Sequence, residues 1–198
     1  MKLRPLVFEG TSFTSVSVTD GLVQAKGEGR GWSTTRPLAL WRDFSEMDLR
    51  SPGEVEAFVN RYGDPRAALP RPSAIELWLE VQEPLQAAAQ AWEPLDANGI
   101  SHLTTDSNRL HHAWTLGLGP GTSFEGISMR PHRKTGKVQP HANNLGIFMI
   151  ASAVHFLEAQ IPMRRCETCS RWLDASHART RYCSNACSIK ASQQRKIA

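Results

Sequence analysis

Residues 166–187 read Cys166-Glu167-Thr168-Cys169, then thirteen residues, then Cys183-Ser184-Asn185-Ala186-Cys187. All four cysteines of the chain lie in this stretch. A pair spaced by two residues and a pair spaced by three can each wrap a turn that aims two sulfurs at one point. The intervening segment brings the pairs together. Thiolates select zinc by their softness, and four protein ligands leave no open position for water or substrate. One structural zinc ion held by Cys166, Cys169, Cys183 and Cys187 is therefore expected. Four ordinary buried thiols, at odds with such clustering, are one alternative, and two disulfides are the other. The disulfides are disfavoured by an N-terminus, Met1-Lys2-Leu3-Arg4-Pro5-Leu6-Val7-Phe8-Glu9, that reaches a carboxylate before any signal-peptide apolar core can form.

The flanks of the cysteines extend the expectation. Ser170-Arg171-Trp172-Leu173-Asp174 suits a short hairpin with Trp172 beside the metal site, and Ser184 suits the N-cap of a helix carrying Cys187 in its first turn. A knuckle, a hairpin and a helix with the second ligand pair make a treble-clef-like four-cysteine zinc finger. So small a unit draws much of its folding free energy from the metal.

Outward from the finger the charge changes sign. From Met163 to the end there are eight basic residues and two acidic ones, a formal +6 in a chain whose total is +4. Residues 1–162 are thus slightly acidic, and the basic character belongs to the tail. At 198 residues, 40% hydrophobic and 21% charged, the chain has the composition of a folded domain with a small appendage. The expected division is an α+β body, 1–162, and a finger with a basic helix, 163–198.

In the body, alternation over Ser12–Val18, an Asp20-Gly21 turn and Leu22–Ala25 predict a hairpin. Ser51-Pro52-Gly53-Glu54 predicts a helix start and Gly63 its stop. Ser73-Ala74-Ile75-Glu76 opens a second helix toward Trp92, kinked or broken at Pro84. Ala113–Leu116 and Phe124–Met129 read as strands around Gly119-Pro120-Gly121, and Arg130–His141 as a polar loop. Leu145, Phe148, Met149, Ser152, Phe156 and Leu157 recur at helical spacing, with Asn143 or Asn144 to cap. Trp41, Trp78, Trp92 and Trp114 are expected in the core. The most apolar run, Leu145–Val154, is about half the ~20 residues of a membrane span, so a cytoplasmic protein that uses no membrane is expected.

The tail resembles the bacterial CGNR-type zinc fingers. The residues that carry the likeness are the Cys166-x2-Cys169 knuckle, Leu173 before Asp174, Ser176-His177, Arg181-Tyr182-Cys183-Ser184-x-x-Cys187 and the basic helix that follows. In that family the finger closes transcription-regulator-like proteins behind a domain called ABATE, and Ser51–Gly63 is similar to a helix with Tyr-Gly found in such bodies. The tetrapeptide that names the family is replaced by Cys187-Ser188-Ile189-Lys190, so no role of its Asn and Arg carries over.

Charge and resemblance together point to a DNA-binding regulator. Arg171, Arg179, Arg181, Lys190, Arg195 and Lys196 are candidates for phosphates, and Gln193 or Gln194 for a base edge. The alternative is a zinc-capped module for protein interaction or dimerisation, with a homodimer or other protein partner held through the body. A nuclease or other hydrolase has the least support. His177 is alone in the tail, the sequence holds no Gly-rich phosphate loop, Gly-x-Ser-x-Gly or His-Glu-x-x-His, and His111 and His112, near His102 and Asp106, would point to opposite faces of a strand. The cluster Arg130-Pro131-His132-Arg133-Lys134-Thr135-Gly136-Lys137 reads as a solvated loop, with an extension of the polyanion surface or a ligand pocket in the body as the alternatives.

Overall fold

A computed structural model describes residues 6–117, 126–131, 136–177 and 179–195. In chain order the elements are β1 (Val7–Phe13), β2 (Val16–Thr19), β3 (Leu22–Ala25), β4 (Gly29–Thr34), α1 (Leu40–Glu46), α2 (Pro52–Tyr62), β5 (Ser73–Ala74), α3 (Leu79–Ala89), β6 (Ile100–Ser101) and α4 (Ser107–His112). There follow β7 (Ile127–Pro131), β8 (Val138–Ala142), α5 (Leu145–Glu158), β9 (Met163–Arg165), β10 (Trp172–Asp174) and α6 (Asn185–Arg195). The chain is mixed α+β, as its patterning implies, and its strands form three sheets ordered β4-β1-β8-β7, β2-β3-β5 and β10-β9-β6.

Central to the body is α5. Asn144 caps it, its side chain accepting from the Ile147 N–H at 2.8 Å, and Leu145, Phe148, Met149, Ser152, Phe156 and Leu157 are all buried, as the helical spacing requires. One hydrophobic core joins it to Trp41 and Phe44 of α1, Val55 and Val59 of α2, Leu85 of α3, and Phe8 of β1, which stacks on Phe148. The turn between β2 and β3 has positive φ at both Asp20 (50°) and Gly21 (73°), the geometry that an Asp-Gly pair favours in a two-residue hairpin. Gly63 ends α2 at φ 95°, and a Cβ there would lie 2.1 Å from the Thr11 carbonyl oxygen, so both backbone conformation and the approach of β1 require glycine.

Several expectations give way. The alternating run Ser12–Val18 is split between the end of β1 and β2, which then pairs with β3. Ser51 makes no side-chain cap, and Glu54 accepts from the Asp48 N–H instead. Ser73 also does not cap; it pairs as strand β5 and accepts from the Trp78 indole. The next helix begins as a 3-10 turn, Ile75–Trp78, and α3 runs on through Pro84. Ala113–Leu116 is not a strand. Asp106 accepts from the Asn108 and Arg109 N–H groups and so starts α4, which continues as a π-turn over Ala113–Gly117. Cap chemistry at Asp106 outweighs a short apolar run whose Ala and Leu suit a helix equally well.

Trp41, Trp78 and Trp92 are core residues, but Trp114, on that π-turn, is 36% exposed. Much of the expected polar loop is instead a hairpin, β7 against β8, with Met129 opposite Pro140. Gly119-Pro120-Gly121, Phe124, Glu125, His132 to Thr135 and Lys196 lie outside the described residues. Among the described residues no helix is long and apolar enough to cross a membrane.

Candidate metal centre

Strand β9 carries the chain from the body to the first cysteine pair. On one side it pairs with β6, Ser101 opposite Met163, and on the other with β10, Trp172 opposite Arg165. The knuckle sits at the tip of the β9–β10 hairpin. It closes through the Cys166 carbonyl, which accepts from Ser170 N at 2.9 Å, with Ser170 itself at φ 57°. Alternation along β10 sends its side chains in two directions. Leu173 packs with Cys166 and Cys187, whereas Trp172 joins the core of the body. The expectation that Trp172 flanks the cysteines is thus corrected by one residue.

Trp172 seats the hairpin on α1. Its backbone N–H donates to Asp43 at 3.0 Å and its indole N–H to Glu46 at 2.9 Å. Arg165, paired with Glu46 at 2.5 Å, and Arg42 lie over the indole ring, 4.6 Å and 5.2 Å from its centroid. Asp43 is largely buried and its second oxygen has no partner; burial above all lifts its pKa to about 7, against the pull of the Trp172 N–H and the Arg165 charge.

The second pair arrives on α6. Ser184 caps this helix as expected, its hydroxyl accepting from Cys187 N at 3.3 Å. Thr168 of the knuckle donates to the Cys187 carbonyl at 3.0 Å, which ties the two halves together. The four Sγ atoms all lie within 4.8 Å of one another, with Cys169 and Cys183 at 3.5 Å and Cys183 and Cys187 at 3.6 Å. None is in a disulfide. Among the described residues this is the one group of His, Cys, Asp and Glu side chains close enough to hold a metal ion. His111 and His112 sit on α4, not on a strand, and His102 pairs loosely with Asp96 at 3.5 Å.

The sulfurs differ in their surroundings. Burial opposes ionisation of Cys166, but the backbone N–H groups of Cys183, Thr168 and Cys169 hold its pKa down to about 6. Cys169 and Cys183 are pushed upward, first by burial and, for Cys169, next by the neighbouring thiols. Four thiols at this spacing cannot all ionise alone, because each new thiolate repels the last. A cation among them removes that conflict.

Two arginines face the sulfurs from the side of the body. Arg171 donates through Nε to Cys169 Sγ at 3.2 Å and through a terminal nitrogen to the Tyr62 hydroxyl at 3.2 Å. Arg61 lies over the Tyr62 ring; burial works against its charge, but Tyr62 and the sulfurs of Cys183 and Cys169 hold its pKa up. Burial also raises the Tyr62 phenol. A cleft of about 340 Å³ between body and finger is lined by Arg36, Arg61, Tyr62, Arg171 and His177. Of the residues singled out for phosphates, Arg171 is therefore turned inward. Arg179, Arg181, Lys190, Gln194 and Arg195 are exposed, with Arg181 3.6 Å from Glu167 and Arg195 donating to the Tyr182 hydroxyl. Asp43, Glu46, Arg61 and Tyr62 belong to the body, and no local pattern in their own segments marks them as partners of the finger. Compared with models of protein families, with curated proteins and with solved structures, the chain matches none.

Proposed function

We propose that Cys166, Cys169, Cys183 and Cys187 hold one structural zinc ion in a treble-clef-like finger, and that the finger binds duplex DNA in a regulator-like protein. The donor set fits the ion. A tetrahedral zinc with Zn–S bonds of about 2.3 Å separates its sulfurs by about 3.8 Å; two of the sulfur pairs lie at 3.5 and 3.6 Å, and every pair lies within 4.8 Å. All four donors come from the protein, so the ion organises the chain and offers no open position for chemistry. A divalent ion with four thiolates carries a charge of about −2, which Arg61 and Arg171 are placed to balance. This gives Arg171 a role inside the finger, and leaves Arg179, Arg181, Lys190 and Arg195 as its described outward cations.

The observation that carries the DNA reading is the surface the metal would support. In α6 only Cys187 is buried, so the rest of the helix projects from the sulfur cluster with little core of its own. Residues 175–198 hold five basic residues and no Asp or Glu. Cations outnumber the one nearby acid, Glu167 beside Arg181, around an exposed helix, a surface that matches the phosphate charge and the groove width of B-form DNA. In an electrophoretic shift assay, Arg179, Arg181, Lys190 and Arg195 changed together to alanine abolish binding. The wild-type affinity falls steeply with salt, the logarithmic slope approaching about −0.9 for each phosphate contacted. Equal affinity of wild type and variant would leave the docking module as the better account.

A further inference from the structure

With about 100° per residue, Asn185, Ile189 and Gln193 fall at about 160°, 200° and 240° from Cys187 around α6. They form one ridge on the side of the helix away from the sulfurs, and all three are exposed, Ile189 at 58%. Lys190 flanks the ridge and is also exposed. Gln194 falls at about 340° by the same spacing, on the sulfur side. The exposed isoleucine offers one apolar contact in the middle of a polar and cationic surface. In the major groove the thymine 5-methyl is the apolar partner for such a contact, and the amide side chains of Asn and Gln match the N6 and N7 edge of adenine. Positions four apart are about 6 Å apart along the helix, near two base-pair steps of about 3.4 Å each.

We infer that the ridge Asn185–Ile189–Gln193 is the base-reading edge of the finger and that it selects A·T pairs, with Ile189 packed against a thymine methyl. The inference rests on the DNA reading above and adds to it the residues and bases that give specificity. The cations Lys190 and Arg195 of the same helix complement a nucleic acid, and the helix suits the B-form duplex, since the major groove of A-form RNA is too deep and narrow for it and uracil has no methyl.

The test measures fluorescence anisotropy of the full-length, zinc-loaded protein with three alternating duplexes, dA–dT, dA–dU and dG–dC, at one salt concentration. The dA–dT duplex binds tightest, and the dA–dU duplex binds about fourfold more weakly, the value of one buried methyl. Ile189→Ala removes the difference between dA–dT and dA–dU and leaves affinity for dA–dU unchanged, while Ile189→Val keeps part of it. Because Ile189 is exposed and alanine favours helix, circular dichroism of Ile189→Ala matches the wild type. Salt-dependent binding of all three duplexes with one affinity overturns this inference and leaves the DNA reading intact. So does thymine discrimination that survives Ile189→Ala, or a change of oligomeric mass in that variant, which would assign the ridge to a second copy. Failure to bind any duplex at low salt overturns both readings.

Discussion

Replacing Trp172 by alanine should unseat the finger from the body without emptying its metal site, and replacing its neighbour Leu173 should do the reverse. Trp172 is buried in the core of the body, donates its indole N–H to Glu46 at 2.9 Å and lies beneath the guanidinium groups of Arg165 and Arg42. Truncating a buried tryptophan costs about 3–5 kcal/mol, and each lost cation–π contact about 0.5–1 kcal/mol. Global stability should therefore drop by about 4–7 kcal/mol, a large part of what a domain of this size has. Leu173 packs on Cys166 and Cys187 instead. Its truncation costs about 2–5 kcal/mol locally, and because metal binding and finger folding share one free energy, a loss of about 3 kcal/mol raises the metal dissociation constant by about 100-fold. Urea unfolding followed by far-ultraviolet circular dichroism reports the first effect, and competition with a chromophoric chelator the second. If Trp172→Ala weakened metal binding as much as Leu173→Ala and left the unfolding midpoint in place, the division of β10 between two cores would be refuted.

Asp43→Asn removes the ionisation of a buried carboxyl whose folded pKa of about 7 lies above its unfolded value. The protonated form is the one the fold favours, so this group's contribution is full below about pH 4 and is lost as pH rises to about 7. The variant is then more stable than wild type at about pH 8, by up to about 4 kcal/mol, and the gain closes as pH falls toward about 4; a gap independent of pH in urea titrations would contradict the assignment. Chelation of the metal unravels α6, held by Cys187 and by few other buried contacts, which circular dichroism registers as lost helical signal while the signal of α5 persists. Asn144→Ala lowers stability by about 1 kcal/mol through the lost cap of α5, and an unchanged unfolding midpoint would argue against that hydrogen bond. Asp106→Ala destabilises α4 by a similar amount, readable as faster amide exchange at Asn108 and Arg109.

The parts of the molecule with strong local chemistry were legible in advance. Clustered cysteines at knuckle spacing, the Asp20-Gly21 turn, the Gly63 stop, the Asn144 cap and the Ser184 cap each depend on a few adjacent residues, and each stands where its residues place it. Misreadings arose where two local rules compete or where a distant partner decides. Ala113–Leu116 is apolar enough for a strand, yet the cap at Asp106, earlier in the chain, had already set the helix. The hairpin β7–β8 is polar and proline-bearing, and it is ordered by parallel pairing of β8 with β1, which lies at the other end of the body in sequence. Trp172 and Leu173 are adjacent and both apolar. Which one meets the sulfurs depends on the register of β10 against β9 and on carboxylates of α1 that no local pattern links to the finger. Arg171 reads as one more tail cation until its position beside Cys169 and Tyr62 is seen.

Everything proposed for α6 depends on a four-sulfur zinc site that presents the helix. X-ray absorption at the zinc edge of the purified full-length protein, with elemental analysis on the same sample, tests it most directly. One zinc per chain with four sulfur neighbours at about 2.3 Å is the predicted result. A nitrogen or oxygen atom bound directly to the metal, a metal-free protein with its cysteines in disulfides, or a site that loses zinc without loss of helix would contradict it.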